Sequence, residues 1–206
     1  SDLPPLAAKD LAVVILAAGK GTRMKSDMPK ILHAIAGVPM IRHCVAAAEQ
    51  LNPAQIVVVV APDMENVATV VAPHKIAIQV QQLGTGDAVK AAVAQLGDFK
   101  GDILVLYGDV PLVKTGTLAA LVAHHRNGAG FGATVLAMVP PSPTGYGRIF
   151  QNADGTLARI VEEKDATEDE KLVRLVWSGL LVMEGDGLHD RLGQIKNNNA
   201  QKEYYL

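Results

Sequence analysis

The sequence predicts an α/β protein with a Rossmann-like, doubly wound sheet that is mostly parallel and becomes antiparallel in the C-terminal third of the chain. Two observations predict this fold class. Over the first two-thirds of the chain, short apolar runs bounded by turn residues alternate with helical patterns, as in sheets whose parallel strands are covered on both faces. After residue 132, a Pro- and Gly-rich stretch follows the next apolar run in place of a crossover helix, which indicates antiparallel strands.

The parallel part is predicted to contain four buried strands, at residues 11–16, 55–60, 76–80 and 103–107. Between the first two strands, apolar residues recur at the spacing that forms one stripe along a helix. They are Ile41, Cys44, Val45 and Ala48. Two further helices are predicted at residues 87–96 and 115–125, and Asn127-Gly128 is a stop signal for the second.

The antiparallel part is predicted to contain strands at residues 133–139, 149–152, 157–161 and 175–183. The second and third of these flank Ala153-Asp154-Gly155, which is typical of a hairpin with Asp-Gly at its tip. We find no internal repeat and no linker, so we expect one domain over residues 1–206, with residues 1–10 as an N-terminal extension.

Composition excludes several classes of partner. The 19 basic and 21 acidic residues leave a net charge of −2, which gives no long-range attraction to nucleic acids or anionic membranes. No apolar run approaches the roughly 18 residues of a membrane span. A single cysteine, Cys44, fits a reducing compartment, and its place on the helix stripe indicates a packed thiol. We therefore expect a cytoplasmic protein without nucleic-acid or membrane partners; the sequence leaves its oligomeric state open.

The most informative segment follows the first strand, where the sequence LAAGKGTRM over residues 16–24 precedes Pro29-Lys30. Glycines there let backbone amides approach a phosphate closely. Arg23 offers a planar fork and Lys30 a compact charge, so together they can offset the charge of a triphosphate. The dinucleotide fingerprint is excluded by Met24 at its third glycine, and the Walker pattern fails too. Taken alone, the segment also fits a tight turn with solvated cations.

Asp109 follows the fourth predicted strand, at the sheet edge where α/β proteins bind ligands. An oxygen ligand at this edge suits Mg²⁺, which usually takes one or two protein ligands besides phosphates and waters. By spacing alone, Asp109 could equally be a turn residue ahead of Pro111.

Five further motifs lie along the chain in order. They are QLGTGDA at 82–88, YGDVP at 107–111, PTGYGR at 143–148, IVEEKDA at 160–166 and NNNAQ at 197–201. Together with the glycine segment, these motifs resemble the sugar-1-phosphate nucleotidyltransferases. Within that family they are most similar to the uridylyltransferase domains of the bacterial bifunctional enzymes that make UDP-N-acetylglucosamine.

The resemblance implies transfer of UMP from UTP to N-acetylglucosamine 1-phosphate, with release of pyrophosphate and with Mg²⁺ as the cofactor. The attacking phosphate oxygen is already ionised near neutral pH, since the second phosphate pKa is about 6. The reaction therefore needs no general base. It needs in-line placement of two mutually repelling anions and relief of the charge at the α-phosphorus.

The resemblance also implies roles for individual residues. Arg23 and Lys30 would act on the phosphates as catalytic residues, and Asp109 and Asn199 would hold Mg²⁺. The nucleotide would be bound by Leu16, Ala17, Ala18, Gly19, Gly21, Gln79, Gln82, Gly84 and Thr85. The sugar would be bound by Tyr107, Gly147, Glu162 and Trp177. Without the resemblance, residues 79–85 fit a polar loop capped by Asp87, and Glu162 fits a solvated charge run.

Two features depart from the family pattern. Trp177 stands where the family has an Asn that touches the sugar, and an indole has one donor and no acceptor. We therefore expect weaker or altered use of N-acetylglucosamine 1-phosphate, although Trp177 also fits an apolar strand residue. The sequence also has no counterpart of the acetyltransferase β-helix, so we expect no acetyl transfer. A different sugar or base, or a non-catalytic nucleotide-binding module, are the alternative functions.

Overall fold

A computed structural model describes residues 10–19, 28–128 and 130–206 of the chain. Its strands are β1 (Leu11–Leu16), β2 (Ala34–Ile35), β3 (Val38–Pro39), β4 (Gln55–Val60), β5 (Lys75–Ile78), β6 (Asp102–Tyr107), β7 (Ala133–Met138), β8 (Arg148–Gln151), β9 (Leu157–Val161) and β10 (Val176–Glu184). Its α-helices are α1 (Met40–Glu49), α2 (Glu65–Val71), α3 (Thr85–Leu96), α4 (Thr115–Asn127), α5 (Glu168–Lys171) and α6 (Leu188–Gly193). A short 3₁₀ helix covers Lys30–Leu32.

Within the described residues, eight strands form one mixed sheet in the order β5-β4-β1-β6-β10-β8-β9, with β7 paired to β10. The first four strands of this order are parallel. β10 joins them antiparallel to β6, and β7, β8 and β9 continue in antiparallel pairs. The predicted fold class is confirmed, including the change to antiparallel pairing in the C-terminal third.

The parallel strands are apolar along their whole length because both faces of the sheet are covered. Every residue of β1 is buried, and so is every residue of β4 after Gln55. The predicted stripe on α1 is buried as well, with Ile41, Cys44, Val45 and Ala48 in the core. Burial on both faces explains why these strands lack the alternation of half-exposed strands.

β1 is the point where the chain changes direction in the sheet. From β1 the chain moves outward to β4 and β5 on one side, and then crosses back to β6 on the other. The residues after β1 and after β6 therefore flank a crevice at the carboxyl ends of the parallel strands. This is the position at which open α/β sheets bind ligands.

β10 carries an irregularity that separates its two pairing regions. Its register against β7 shifts between Trp177 and Leu181, and Gly179 within this stretch has a φ of +88°. A Cβ atom at Gly179 would lie 2.7 Å from the Tyr107 ring, so only glycine fits beside that ring. β-bulges of this kind often re-aim side chains beside active sites.

The structure corrects several sequence predictions. The strand predicted at 76–80 ends at Ile78, and Val80 is 76% exposed. The Gln79 N–H donates to the Val60 carbonyl at 2.9 Å, which is the last hydrogen bond between β5 and β4, since β4 itself ends at Val60. Sequence reasoning missed the β2–β3 hairpin and the helices α2, α5 and α6. No helix in the described ranges has the length and apolar character needed to cross a membrane.

Candidate active site

A cavity of about 690 Å³ opens at the carboxyl ends of the parallel strands, within the range of small-molecule sites. Its wall brings together thirteen of the predicted site residues: Leu16, Ala17, Ala18, Gly19, Lys30, Gln79, Gln82, Gly84, Thr85, Tyr107, Asp109, Glu162 and Trp177. Gly147 and Asn199 are not among the described residues of the wall. The predicted residues Gly21 and Arg23 lie outside the described residues.

The start of the glycine segment forms the floor of the cavity. The Ala17 N–H donates to the Val59 carbonyl at 2.8 Å, and the Leu16 carbonyl accepts from the Gly108 N–H at 2.9 Å. These two hydrogen bonds carry the segment between β4 and β6 beyond the end of β1. Ala17 and Ala18 are buried, so their small side chains leave the backbone as the surface that a ligand meets.

Two glutamine amides shape the β5 side of the cavity. Gln79 is buried, and its Nε2 donates to the Gly84 carbonyl at 3.0 Å and to Asp87 Oδ2 at 2.9 Å. Gln82 is exposed, and its Nε2 donates to the Ala18 carbonyl at 2.8 Å. Gln79 therefore fixes the turn before α3, and Gln82 ties this turn to the floor. Their contact with a base stays a prediction.

Lys30 and Asp109 form an ion pair in the cavity wall, with Lys30 Nζ 2.7 Å from Asp109 Oδ2. Lys30 begins the 3₁₀ helix, which is anchored by the buried side chain of Ile31. Asp109 follows β6, at the opposite side of the crevice from the residues after β1. Both side chains remain more than one-third exposed, so both are accessible to a ligand in the cavity.

The two residues before Asp109, Tyr107 and Gly108, pack closely against helix α1. The Cys44 thiol of α1 lies 3.4 Å from the Gly108 carbonyl oxygen and 3.5 Å from that of Tyr107. Burial raises the pKa of Cys44 to about 11, so the thiol is protonated near neutral pH. A Cβ atom at Gly108 would lie 2.6 Å from Ile41 Cδ1. As predicted from its place on the stripe, Cys44 is a packed thiol.

Glu162 and Tyr107 mark the side of the cavity nearest the antiparallel strands. Burial raises the pKa of Glu162, and the nearby carboxylates of Asp165 and Glu203 raise it further. Burial also raises the pKa of Tyr107, with Glu162 and Asp109 adding to the shift, so its phenol stays protonated. Gly147 lies behind Glu162, where an added Cβ would be 3.1 Å from Glu162 Oε1.

Trp177 lines the cavity on the same side as Glu162 and Tyr107. The residue is nearly buried, with 8% of its surface exposed. Its Nε1 donates to the Leu180 carbonyl at 3.2 Å, within the irregular stretch of β10. Its backbone N–H donates to the Gly147 carbonyl at 2.9 Å. The single donor of the indole is therefore engaged, and the cavity meets an apolar surface at this position.

Asn199 is held by the backbone of the residues that follow it. Its Nδ2 donates to the Glu203 carbonyl at 2.6 Å, and its Oδ1 accepts from the Glu203 N–H at 3.1 Å. Its role as a metal ligand stays a prediction. Asp109 does offer an accessible carboxylate in the cavity. Across the part of the chain that the structure describes, no three His, Cys, Asp or Glu side chains cluster as metal ligands.

Sequence reasoning missed five residues of the cavity wall: Ile31, Ala88, Gln201, Glu203 and Tyr205. Gln201 closes the NNNAQ motif, and Glu203 and Tyr205 lie within four residues of it. Nearness to that motif is the sequence signal that could have pointed to them.

Comparison of the sequence with known proteins identifies the family of this chain. The model of the MobA-like NTP transferase domain matches residues 13–170. The chain is 45% identical over 201 residues to the bifunctional protein GlmU of Paramagnetospirillum magneticum, covering 98% of this chain and 44% of that protein. It is 48% identical to GlmU of Pelotomaculum thermopropionicum over 96% of this chain and 43% of the relative. It is 49% identical to GlmU of Cupriavidus taiwanensis over 94% of this chain and 42% of that relative.

The chain thus spans less than half the length of these curated relatives, while the family model covers most of the chain. The matched range includes Lys30, Asp109 and Glu162, three of the residues that the cavity brings together. This chain belongs to the MobA-like NTP transferase domains, a family of nucleotidyltransferases.

Proposed function

We propose that this domain transfers UMP from UTP to N-acetylglucosamine 1-phosphate and releases pyrophosphate. The observation that carries the proposal is one cavity that holds the Lys30–Asp109 pair together with the floor after β1 and with Glu162. The similarity to GlmU proteins over nearly the whole chain supports it. The proposal covers nucleotidyl transfer alone, because the chain spans less than half of those relatives.

The strand order supports the arrangement of the two substrates. The turn before α3 follows β5, the floor follows β1, and Asp109 follows β6, so these groups lie in this order along the sheet. Trp177 on β10 and Glu162 after β9 come next. A nucleotide at the β5 end would therefore place its phosphates near Lys30, and a sugar phosphate would enter from the end with Glu162.

Lys30 supplies the positive charge that this reaction needs at its centre. A compact ammonium beside the α-phosphate would lower the repulsion between the two anionic substrates. The attacking phosphate oxygen carries its own charge, so the cavity needs no general base. Arg23 would add a second cation to the phosphates; its contribution stays a prediction.

A divalent metal ion, which we propose to be Mg²⁺, would neutralise phosphate charge during the transfer. Asp109 is the residue that would hold it, because its carboxylate is accessible in the cavity. The Asn199 amide oxygen accepts from the Glu203 N–H and keeps a second lone pair, but Asn199 is not among the described residues of the cavity wall. Asp109 is therefore the ligand that the described wall offers.

A different sugar 1-phosphate is the second candidate acceptor, and Trp177 is the observation that favours it. The indole occupies the wall beside Glu162 and has its N–H engaged by Leu180. It cannot offer the paired donor and acceptor of an amide. An acceptor with an apolar group facing the indole would lose no hydrogen bond at this position.

Pyrophosphate release tests the proposal directly. UTP, with ATP, CTP and GTP in parallel, is offered together with N-acetylglucosamine 1-phosphate, glucose 1-phosphate or galactose 1-phosphate, with and without Mg²⁺. We expect Mg²⁺-dependent release with UTP and N-acetylglucosamine 1-phosphate. Release with another pair alone would replace the substrate assignment. Binding of UTP without release from any pair would support the non-catalytic alternative.

A further inference from the structure

Arg148 is the largest fully buried side chain in the part of the chain that the structure describes, with 1% of its surface exposed. It is the first residue of β8, and its backbone pairs with Val161 of β9 and Val176 of β10. It is not among the described residues of the cavity wall, and the proposed transfer does not use its charge. A buried guanidinium costs free energy unless its charge and donors are satisfied, so its partners indicate what it does.

The guanidinium of Arg148 joins the loop before β8 to the end of α5. Its Nη1 donates to the Tyr146 carbonyl, and its Nε and Nη2 donate to the Lys171 carbonyl at 3.4 and 3.3 Å. Nη1 also lies 2.7 Å from Glu163 Oε2. The planar fork of arginine, with its five donors, can make these contacts at the same time. Arg148 thus connects three segments of the chain.

Glu163 fastens the same loop from its other side. Its Oε2 accepts a hydrogen bond from the Gly145 N–H at 3.1 Å and is also the oxygen that faces Arg148 Nη1. Gly145 and Tyr146 both belong to the PTGYGR motif, and one ion pair therefore holds this motif through an N–H and a carbonyl. The loop that leads into Gly147 is fixed in place by these contacts.

Each member of this ion pair is the sequence neighbour of a residue that we assign to the acceptor. Gly147 precedes Arg148, and Glu162 precedes Glu163. Gly147 is buried and lies so close to Glu162 that an added Cβ would be 3.1 Å from Glu162 Oε1. Glu162 lines the cavity, whereas Glu163 is engaged by Arg148. A shift of either member of the pair would therefore move Gly147 and Glu162 relative to each other.

Stability alone gives a weaker reason for this pair. Replacing a buried ion pair by apolar residues of similar volume is often neutral or stabilising, so its burial is weak evidence for a stabilising role. The Arg159–Glu170 pair is a matched control: Arg159 Nη1 lies 2.7 Å from Glu170 Oε1, and the pair joins β9 to α5. Neither of these two residues adjoins a residue of the described cavity wall.

We propose that Arg148 and Glu163 are positioning residues, which hold Glu162 against Gly147 and so set the geometry of the acceptor end of the cavity. This inference rests on the proposed function, in which Glu162 binds the acceptor sugar. Arg148 and Glu163 act through the two residues beside them and contact no substrate. A buried charge that the transfer does not use thereby has a role in acceptor binding.

The test measures the KM for N-acetylglucosamine 1-phosphate and the KM for UTP separately in the full chain. Glu163→Gln removes one charge of the pair at nearly constant size and should raise the acceptor KM about fivefold, within the range for one hydrogen bond. The KM for UTP should stay within about twofold. Arg148→Lys should also raise the acceptor KM, because an ammonium cannot replace the guanidinium fork. Glu170→Gln should change neither constant.

A double-mutant comparison separates positioning from a general structural effect. In a Glu162→Gln chain, whose acceptor KM should already be raised, Glu163→Gln should add less than about twofold, because the carboxylate that it positions is gone. A merely structural contribution would multiply the acceptor KM by the same factor in both backgrounds. Glu163→Gln carries this test because its side chain is 27% exposed and the contacts of Arg148 with the two carbonyls remain.

An unchanged acceptor KM in Glu163→Gln would overturn the inference and leave the proposed function standing. Equal factors in the two backgrounds, or equal rises in the two KM values, would overturn it as well, because they would indicate a general loss of structure. An acceptor KM that Glu162→Gln does not change would leave the pair nothing to position and would also overturn it. A wild-type chain that releases no pyrophosphate with any substrate pair would overturn the proposed function, and the inference with it.

Discussion

Lys30 Nζ lies 2.7 Å from Asp109 Oδ2, although the two residues are 79 positions apart in the sequence. The pair joins the 3₁₀ helix that follows the glycine segment to the end of β6, in the wall of the cavity. Ion pairs this exposed contribute between 0 and about 1 kcal/mol to stability. Stability alone therefore gives little reason for this pair, and its place in the cavity wall supports the role that we propose for it.

Removing either Lys30 or Asp109 should lower the activity while leaving the free energy of unfolding nearly unchanged. Lys30→Met and Asp109→Ala should each lower the rate of pyrophosphate release about 100-fold or more, the size of effect seen when a group that stabilises transition-state charge is removed. The free energy of unfolding, measured by urea denaturation, should change by less than about 1 kcal/mol. Lys100→Met and Asp186→Ala alter an exposed pair away from the cavity and serve as controls. Full activity of Asp109→Ala would exclude phosphate transfer at this position.

Trp177 should determine which acceptor is preferred. Trp177→Asn supplies a donor and an acceptor to the wall, so it should raise kcat/KM for N-acetylglucosamine 1-phosphate relative to glucose 1-phosphate. Loss of the buried ring should cost stability on the order of 3 kcal/mol, so the ratio of the two substrates is the informative measurement. Trp177→Phe, which keeps an apolar surface, should leave the ratio unchanged. Ordinary saturation of the wild type by N-acetylglucosamine 1-phosphate with no gain in Trp177→Asn would contradict this prediction.

The fold was predictable where buried strands appear in the sequence as continuous runs of apolar residues. Residues 11–16 and 55–60 were predicted with the bounds that the structure has, because strands covered on both faces are apolar throughout. The short helix α2 was missed because seven residues give too few turns for a clear stripe. The end of β5 was misplaced because Val80 continues the apolar run in the sequence, whereas the partner strand β4 ends at Val60 and pairs no further than Ile78.

The candidate site was predictable only in part, for a related physical reason. Residues that follow parallel strands share one sheet edge, so Asp109 and the floor after β1 could be placed together from the sequence. The position of residues 199–206 against the cavity could not, because it depends on backbone hydrogen bonds between Tyr204 and the turn at Leu83 and Gly86, more than a hundred residues earlier. The hydrogen bonds between the Asn199 amide and the Glu203 backbone could not be predicted from the sequence pattern either.

Two arginine pairs with the same separation should differ in their effect on stability. Arg148 Nη1 lies 2.7 Å from Glu163 Oε2 with an arginine side chain 2% exposed, and Arg159 Nη1 lies 2.7 Å from Glu170 Oε1 with one 54% exposed. Arg148→Met should lower the free energy of unfolding by about 1–3 kcal/mol, because it leaves the Tyr146 and Lys171 carbonyls without their buried donor. Arg159→Met should cost no more than about 1 kcal/mol. Urea denaturation at pH 7 compares them, and equal costs would show that burial is not the deciding factor.

Glu162 and Glu163 should affect stability with opposite dependence on pH. Burial raises the pKa of Glu162, so the folded state favours its protonated form. Its stabilising contribution is present below the unfolded pKa and is lost as the pH rises through the folded pKa. For Glu163, burial opposes ionisation, but hydrogen bonds from the Gly145 N–H and Arg148 lower its pKa below the usual value. Its contribution is present above the unfolded pKa and is lost as the pH falls through the folded pKa.

The matching amide variants separate these two effects. Glu162→Gln should raise the free energy of unfolding at pH 7, because it removes a buried charge, and the gain should disappear on acidification to about pH 4. Glu163→Gln should lower the free energy of unfolding at pH 7, and its loss should shrink as the pH falls. Urea denaturation of both variants and the wild type between pH 7 and pH 3 gives the comparison. Changes of the same sign at pH 7 would contradict the prediction, since they would mean that the two neighbouring carboxylates experience the same environment.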